Sequence, residues 1–505
     1  MSAHPRDLLI GDIFRAGAAA VPERVAVALG DRALTFAELD VAANAHAAAL
    51  AGLGVGHGDR VVLWSATSVD AVPVFVALAK LGAVFAPANA LLGTDEATAM
   101  AALARPTLLV VDAVRAEAGL EIARRLGCGL AVLGAVTEAT TAPDPEVPAL
   151  RETDPHVCFF TSGTTGRSKG VVLSHRVNYL RSHPGSQLEP RGATVCMYPL
   201  FHMGAWTMAL SAWQQQTTAV FVDRADAEVL CAEIARWRAT RFNAIPAVWR
   251  RIFEHVDAHP DAAAGLASLR IVDSGTSATP PDLLLGIKAR VPGAARRVFY
   301  GSTEAGAVCL LRDEDMEARP GACGTPQHSV RVRLDPGTGE LQVQGPLLFD
   351  GYFDDPEATA AAMTTDGWFR TGDLAGVDAA GFYSIVGRVA QVIRTGGESV
   401  APVEVELVLA DHPAVADVAV VGLPDAEWGE TVCAAVVVRP GAEAPDVDAL
   451  RAHARARLAR FKLPRRVVVV AEIPRTPATR QVQRALLVEQ ILGRIQDQPE
   501  GRLTG

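Results

Sequence analysis

The chain has 505 residues, of which 50% are hydrophobic, and it carries a formal net charge of −10. A chain of this length and composition buries a large core and is expected to divide into more than one domain. The acidic balance argues against a general surface for nucleic acid or for anionic membranes.

The cysteines and the N-terminus predict a cytoplasmic protein. Seven cysteines are scattered along the chain without a Cys-x-x-Cys pair, which is typical of a reducing compartment. The residues from Arg6 to Arg15 mix acidic and basic side chains and lack the apolar core of a signal peptide. The longest apolar stretch, 71–92, is interrupted by Pro73, Lys80 and Pro87, so it predicts a buried helix and strand rather than a membrane span.

Short apolar runs alternate with alanine-rich helical stretches over the first three quarters of the chain. Strands are predicted at 61–64, 107–111, 219–222 and 269–272, and helices at 39–50 and 225–238. This alternation predicts an α/β domain with mainly parallel sheets flanked by helices. A stretch rich in Pro and Ala at 137–150 predicts a connector.

From about residue 389 the elements become shorter. A helix is predicted at 402–410 and strands at 415–422, 432–439 and 467–470. We therefore predict a large N-terminal domain at 1–388 and a small α+β C-terminal domain at 389–505.

The segment 160–170 follows the connector and concentrates five hydroxyl side chains, three glycines and one lysine directly after an apolar strand. Glycines let the backbone N–H groups approach an anion, and the hydroxyl and ammonium groups add donors, so the segment predicts a phosphate-binding loop. It is not a Walker A loop, because Lys169 is preceded by Ser168 and followed by Gly170. The predicted phosphate contacts are Thr161, Ser162, Gly163, Thr164, Thr165, Gly166 and Lys169.

Four further motifs follow in order, and together with the loop they carry a family resemblance over nearly the whole chain. They are Tyr300-Gly301-Ser302-Thr303-Glu304, Thr371-Gly372-Asp373, Gly387-Arg388 and Gly396-Gly397-Glu398. The set resembles the adenylate-forming superfamily, in its acyl-CoA ligase branch. The resemblance implies a small C-terminal lid that rotates between two half-reactions, with the active site between the two domains.

The resemblance also implies a role for each motif in binding ATP or an acyl-adenylate. Glu304 would ligate Mg2+, a hard cation that prefers carboxylate and phosphate oxygens. Thr303 would contact the α-phosphate, and Tyr300 would stack on adenine beside Gly301. Asp373 would accept both ribose hydroxyls, with Arg388 as a second ribose contact.

The segment 200–206 resembles the part of the family that carries a gating histidine or aromatic residue and forms one wall of the acyl pocket. It would contribute His202, Gly204 and Trp206, and Gly275 and Thr276 would line the opposite wall. A histidine among apolar neighbours is as well explained by a structural role, so both readings of His202 stay open. No Asp stands in the segment to bind an α-amine, which favours an acyl or aryl acid as substrate.

In the C-terminal domain the resemblance implies a CoA site. Gly396 and Gly397 would let the pantetheine arm approach the backbone, next to Glu398. Trp428, Phe461 and Arg465 would contact the CoA nucleotide. Seven basic residues between 451 and 466 have no acid among them, and they suit either a solvated surface or 3′-phosphate binding.

The final motif departs from the family. The family pattern Pro-Arg-Thr-x-x-Gly-Lys reads here Pro474-Arg475-Thr476-Pro477-Ala478-Thr479-Arg480, so Arg480 replaces the lysine that bridges the substrate carboxylate and the α-phosphate. A guanidinium is planar and bulkier than an ammonium, and Thr479 lacks the backbone freedom of glycine. Ala390 stands at the hinge, where relatives place Asp or Lys.

We therefore predict an acyl-CoA ligase that forms an acyl-CoA from an acyl-adenylate and CoA, with impaired adenylation. The adenylate would come from a separate adenylating enzyme, in secondary metabolism. One alternative is a complete ATP-dependent synthetase, which would also need Mg2+, and another is a non-catalytic protein that binds nucleotide or acyl-adenylate. No nucleic-acid partner is expected, and a homodimer would be compatible with the sequence.

Overall fold

A computed structural model describes residues 7–135, 141–162, 168–183, 191–275, 279–396, 398–476 and 481–497. Internal contacts divide the chain into two units. The larger unit comprises Met1–Arg331 and Val343–Phe369, and the smaller comprises Val332–Gln342 and Arg370–Gly505. The smaller unit thus includes residues 370–388, whereas the sequence predicted a boundary after Arg388. The domain boundary at 388 stays a prediction.

The first sheet of the larger unit has seven strands and carries the predicted phosphate loop. Five of its strands are mutually parallel, and two antiparallel strands complete one edge. The inner strands Val84–Ala88 and Leu108–Val111 are buried along their whole length, as expected for parallel strands covered on both faces. In spatial order the strands are Gly351–Tyr352, Ser168–Ser174, Pro155–Ser162, Val84–Ala88, Arg60–Trp64, Leu108–Val111 and Gly129–Val132.

The second sheet of the larger unit has nine strands. Its six central strands are parallel, and antiparallel strands lie at both edges. The two parallel sheets confirm the predicted α/β class. In spatial order the strands are Thr325–Pro326, Gly306–Arg312, Ala295–Ser302, Ile271–Gly275, Arg241–Ala244, Thr194–Cys196, Ala219–Phe221, Val25–Leu29 and Arg32–Thr35.

Helices connect the parallel strands of both sheets. The helix Ala71–Leu81 is buried at every residue, and the strand Val84–Ala88 follows it, so the apolar stretch 71–92 forms the predicted helix and strand. No helix in the described ranges is both long and apolar enough to span a bilayer. The helices of this unit are Ile10–Ala20, Phe36–Gly52, Ala71–Leu81, Thr94–Ala104, Ala116–Leu126, His175–Ser182, Met203–Gln214, Ala227–Arg236, Pro246–Ala258, Pro260–Gly265, Pro281–Arg290 and Pro356–Ala361.

The smaller unit is α+β, as predicted, and contains most of one sheet and all of another. The first sheet consists of Arg331–Leu334, Glu340–Gln344, Phe369–Val377 and Tyr383–Arg388. The second consists of Glu398–Val400, Ile393–Thr395, Gly429–Val438 and Val415–Asp425, with Arg466–Val469 parallel to Gly429–Val438. Its helices are Pro402–Leu409, Val447–Ala454 and Arg484–Asp497.

Two histidines are fully buried in the larger unit. The ring centroids of His156 and His175 are 4.7 Å apart. Nδ1 of His156 accepts from the Asn178 side-chain amide at 3.0 Å, and Nδ1 of His175 accepts from the Ile10 backbone N–H at 3.2 Å. Burial lowers the pKa of His175 to about 3, helped by His57 and opposed by Asp154, and burial also holds the pKa of His156 well below its usual value.

This pair predicts a loss of stability in mild acid. The folded protein favours the neutral rings, so their contribution to stability is complete above the unfolded pKa of about 6.5 and is lost as the pH falls below it. We expect the free energy of unfolding to fall by about 1.4 kcal/mol per pH unit for each histidine. Urea denaturation between about pH 7.5 and 5.5 measures this slope, and His175→Gln should make it shallower. Equal slopes for the two proteins would contradict the prediction.

Candidate active site

The predicted phosphate loop connects two antiparallel strands of the first sheet. Thr161 pairs with Lys169, and Ser162 pairs with Ser168. The register therefore places Thr161 and Lys169 side by side at the end of this hairpin. Gly163, Thr164, Thr165 and Gly166 lie outside the described residues, as does the side chain of Ser162, so their phosphate contacts stay a prediction.

A tyrosine links Lys169 to Glu304. Nζ of Lys169 lies 4.5 Å from the ring centre of Tyr352, and the Tyr352 hydroxyl donates to Oε1 of Glu304 at 3.1 Å. Tyr352 reaches this position because its short strand pairs with Ser168–Ser174, opposite Val171. Burial and the Glu304 charge raise the pKa of Tyr352, so its phenol remains a donor. The structure thus brings together two residues predicted from separate motifs.

Glu304 lies in a tight turn between two antiparallel strands of the second sheet, Ala295–Ser302 and Gly306–Arg312. Gly301 is required there, since a Cβ would lie 2.1 Å from the Gly306 carbonyl oxygen. Tyr300 is partly buried on the strand that enters the turn, and Thr303 precedes Glu304 within it. The adenine contact of Tyr300 and the phosphate contact of Thr303 stay predictions.

The Glu304 carboxylate suits a magnesium ion that is bound mainly by phosphate. Mg2+ is commonly held by one or two carboxylates together with the phosphates of a nucleotide. The described part of the chain contains no group of three His, Cys, Asp or Glu side chains placed to hold a metal ion by themselves. Glu304 would supply one such carboxylate.

His202 caps the N-terminus of the helix Met203–Gln214. Its Nδ1 accepts from the Gly204 backbone N–H at 3.0 Å, and its ring stacks on Tyr198 with centroids 5.1 Å apart. Burial lowers the pKa of His202 to about 4, so the ring is neutral near pH 7. A Cβ at position 204 would lie 3.0 Å from that same Nδ1, so Gly204 fits the cap closely. These contacts give His202 a structural role, and its gating role stays a prediction.

The other residues predicted to line the acyl pocket differ in their surroundings. Trp206 is fully buried, donates to the Leu200 carbonyl at 2.6 Å, and stacks on Phe75 with centroids 4.0 Å apart. This packing makes Trp206 part of the core. Gly275 ends a buried strand, and a Cβ there would lie 2.9 Å from the Phe299 carbonyl oxygen. Thr276 lies outside the described residues.

In the smaller unit the two predicted ribose contacts face each other across neighbouring strands. Asp373 is opposite Arg388, and Oδ1 of Asp373 lies 2.8 Å from Nε of Arg388. Gly372 has a φ of +72° and donates its backbone N–H to Glu340 Oε1 at 2.9 Å, which fixes the turn before Asp373. Two motifs separated in sequence therefore form one paired site.

The predicted CoA residues also come together in part. Gly396 has a φ of +59°, and a Cβ there would lie 2.5 Å from the Trp428 ring. The Arg465 guanidinium lies 3.8 Å from the ring centre of Trp428. Glu398 is exposed, Phe461 is half-buried, and Gly397 lies outside the described residues. A close glycine–tryptophan–arginine cluster thus exists in the smaller unit.

The final motif, which departs from the family pattern, belongs to the described residues only up to Thr476. Arg475 contacts both carboxylate oxygens of Asp417, at 2.9 and 3.0 Å, and the Thr476 backbone N–H donates to the Gln481 carbonyl at 2.8 Å. Thr479 and Arg480 lie outside the described residues. Ala390 is exposed in the one-turn helix Val389–Gln391. The roles of Arg480 and Ala390 stay predictions.

Three residues that the sequence did not single out contribute to these sites. Tyr352 bonds Glu304, Tyr198 stacks on His202, and Arg181 bonds the backbone of the Glu304 turn. Each is distant in sequence from its partner or belongs to no recognised motif. No sequence signal distinguishes Arg181 among the 43 arginines.

Comparison with known protein families identifies the family of the chain. The family model described as AMP-binding enzyme matches residues 14–353, and the model described as AMP-binding enzyme C-terminal domain matches residues 404–480. Indoleacetate–CoA ligase of Aromatoleum aromaticum is 32% identical over 484 residues, which cover 90% of this chain and 93% of that protein.

Solved structures show the same likeness. ATP-bound MatB from Rhodopseudomonas palustris matches with a TM-score of 0.84 and 27% identity, covering 95% of this chain and 98% of that one. The o-succinylbenzoate CoA synthetase MenE from Bacillus subtilis, in complex with its acyl-adenylate intermediate, matches with a TM-score of 0.83 and 26% identity. That match covers 94% of this chain and 97% of the MenE chain.

Proposed function

Because the chain belongs to the AMP-binding enzyme family, we propose that it is an acyl-CoA ligase that works mainly on preformed acyl-adenylates. The observation that carries this proposal is the replacement of the family lysine by Arg480, next to Thr479 in place of glycine. In the proposed reaction the CoA sulfur forms a bond to the acyl carbon, the bond from that carbon to the AMP oxygen breaks, and AMP leaves with the electron pair. The thiol proton passes to solvent.

Arg480 would lower the rate of the adenylation step more than that of the thioester step. That step develops charge between the substrate carboxylate and the α-phosphate, and a misplaced cationic donor lowers the rate by about a hundred- to a thousandfold. The lysine nearest in sequence offers no replacement, because Nζ of Lys462 is bonded to both carboxylate oxygens of Glu404, at 2.6 and 2.7 Å.

The thioester step draws on groups that are present in the smaller unit. The Asp373–Arg388 pair supports binding of the ribose, and the cluster of Gly396, Trp428 and Arg465 supports binding of CoA. A carboxylate is a suitable acceptor for two vicinal hydroxyls. Gly396 leaves no room for a Cβ beside Trp428, which is consistent with a narrow passage for the pantetheine arm of CoA.

The proposed substrate is an acyl or aryl acid without an α-amine. His202 is neutral near pH 7 and the segment 200–206 contains no carboxylate, so nothing in that segment pairs with an ammonium group. The printed names of indoleacetate–CoA ligase and o-succinylbenzoate CoA synthetase indicate acids of this kind for the relatives. A cytoplasmic location, a role in secondary metabolism and a separate adenylating enzyme belong to the same proposal.

A complete ATP-dependent synthetase is the second candidate. The proximity of Lys169, Tyr352 and Glu304 favours it, because these groups would suit a triphosphate and its magnesium ion. In that case Arg480 would substitute adequately for lysine.

The deciding experiment supplies CoA with a panel of aryl and acyl acids, once with ATP and Mg2+ and once as preformed adenylates. Acyl-CoA is measured by mass spectrometry. We expect product from adenylates and little from ATP. Equal rates from both would favour the complete synthetase, and product from neither would contradict the enzyme assignment and favour a binding protein.

A further inference from the structure

One arginine outside the nucleotide motifs holds the backbone of the Glu304 turn. Arg181 lies on the helix His175–Ser182, 122 residues before Thr303. Its Nη1 donates to the Thr303 carbonyl at 2.7 Å and its Nη2 donates to the Glu304 carbonyl at 2.7 Å. Its Nε donates to the Leu347 carbonyl at 2.8 Å, so one guanidinium joins two separate segments of backbone.

The turn leaves space for this guanidinium. Gly306 has a φ of +69°, and a Cβ at that position would lie 2.9 Å from Nε of Arg181. The Glu304 carbonyl also accepts from the Phe349 backbone N–H at 2.7 Å. Two donors therefore fix a single carbonyl oxygen, next to a glycine whose missing side chain lets the arginine approach.

The main chain and the side chain of Glu304 are thus held independently. Arg181 and Phe349 bond the carbonyl, and the Tyr352 hydroxyl bonds the carboxylate. Such support reduces the freedom of a ligand before the ion arrives, which is how groups around a metal site raise its affinity. The planar fork of a guanidinium suits several fixed carbonyls better than the single charge of an ammonium does.

We propose that Arg181 is a positioning residue for the binding of magnesium–ATP. It fixes the Thr303–Glu304 backbone so that the Glu304 carboxylate is directed toward a divalent cation on the nucleotide phosphates. This inference rests on the ATP-dependent synthetase, the second candidate for the proposed function, since it requires Glu304 to ligate Mg2+. It concerns only the step that involves ATP and makes no claim on the thioester step.

The test compares ATP binding with and without Mg2+ by isothermal titration calorimetry. We expect the magnesium-dependent gain in ATP affinity to fall by about 10- to 100-fold in Arg181→Met, because changes to residues that hold a metal ligand in place alter metal affinity by that range. Arg181→Lys should show an intermediate gain, since it retains the charge but loses the fork. The thermal midpoint of each variant reports whether it folds.

A double variant separates positioning from general damage. In a Glu304→Gln background, Arg181→Met should cause little additional loss of the magnesium-dependent gain, because the two residues act through one ligand. An unchanged gain in Arg181→Met, or equal losses of affinity with and without Mg2+, would overturn the proposal. If the Met variant does not fold, a wild-type gain in Arg181→Lys overturns it instead.

Failure of this inference can be distinguished from failure of the proposed thioester-forming activity. A wild-type protein without any magnesium-dependent gain would remove the basis of this inference and overturn it. Thioester formation from a preformed adenylate, measured on the same preparation, tests the proposed function separately because that step includes neither ATP nor Mg2+.

Discussion

Arg480→Lys should raise the rate of acyl-adenylate formation by about 100- to 1000-fold, the range associated with one well-placed donor to a developing charge. An ammonium is a compact point charge that can lie between a carboxylate and an α-phosphate, whereas a guanidinium imposes a planar geometry. Combining the change with Thr479→Gly should increase the gain, since glycine restores backbone freedom. ATP–pyrophosphate exchange with a panel of acids measures the rate directly.

Arg475→Lys provides a matched control in the same motif. Arg475 is engaged with Asp417, so a lysine there would keep an ion pair without supplying the adenylation cation. Exchange in this control should stay at the parent level. Robust exchange by the unmodified protein would refute the impaired-adenylation hypothesis, and so would an Arg480→Lys variant that shows no increase.

Asp273→Ala should destabilise the larger unit by about 3–5 kcal/mol, the usual loss when one partner of a buried ion pair is removed. Asp273 is fully buried, and its carboxylate lies 3.1 Å from Nε of Arg241 and 2.7 Å from Nε of Arg297. Burial alone would raise the pKa of Asp273, but the two guanidiniums outweigh it and hold the pKa below its usual value. Without the carboxylate, two mostly buried cations would remain between three adjacent strands.

Asp257→Ala is the matched control for this experiment. Asp257 also pairs with an arginine, Arg290, but its side chain is exposed. Exposed ion pairs contribute little because water screens them, so the control should lose much less stability. Urea denaturation of both variants gives the comparison. Similar losses would show that burial does not determine the strength of these pairs.

The Asp273 cluster illustrates what the sequence could not show. Asp273, Arg241 and Arg297 are unremarkable charges in the linear chain, and only the register of three adjacent strands brings them together. Likewise, Tyr352 meets Glu304 because a two-residue strand pairs beside the phosphate-loop hairpin. Long-range strand pairing has no local sequence signature, since the register depends on burial of whole faces.

Trp206 illustrates that a recognised motif does not determine which way a side chain faces. Its position in a recognised segment predicted a pocket wall, yet its indole is buried against Phe75 and bonded to the Leu200 carbonyl. A motif identifies which segment lies near a site but not which side chains face it. Orientation depends on how a helix is rotated against the core, which the neighbouring elements determine.

The sequence by itself determined the α/β class, the order of the motifs and the departure at Arg480, because each depends on local periodicity or on residue chemistry at fixed spacing. The tertiary structure alone decided that Lys169, Tyr352 and Glu304 are neighbours, that Asp373 faces Arg388, and that Arg181 holds the Glu304 turn. These contacts join residues far apart in the chain. They exist because packing the sheets and helices of each unit around its own core fixes positions that no short segment specifies.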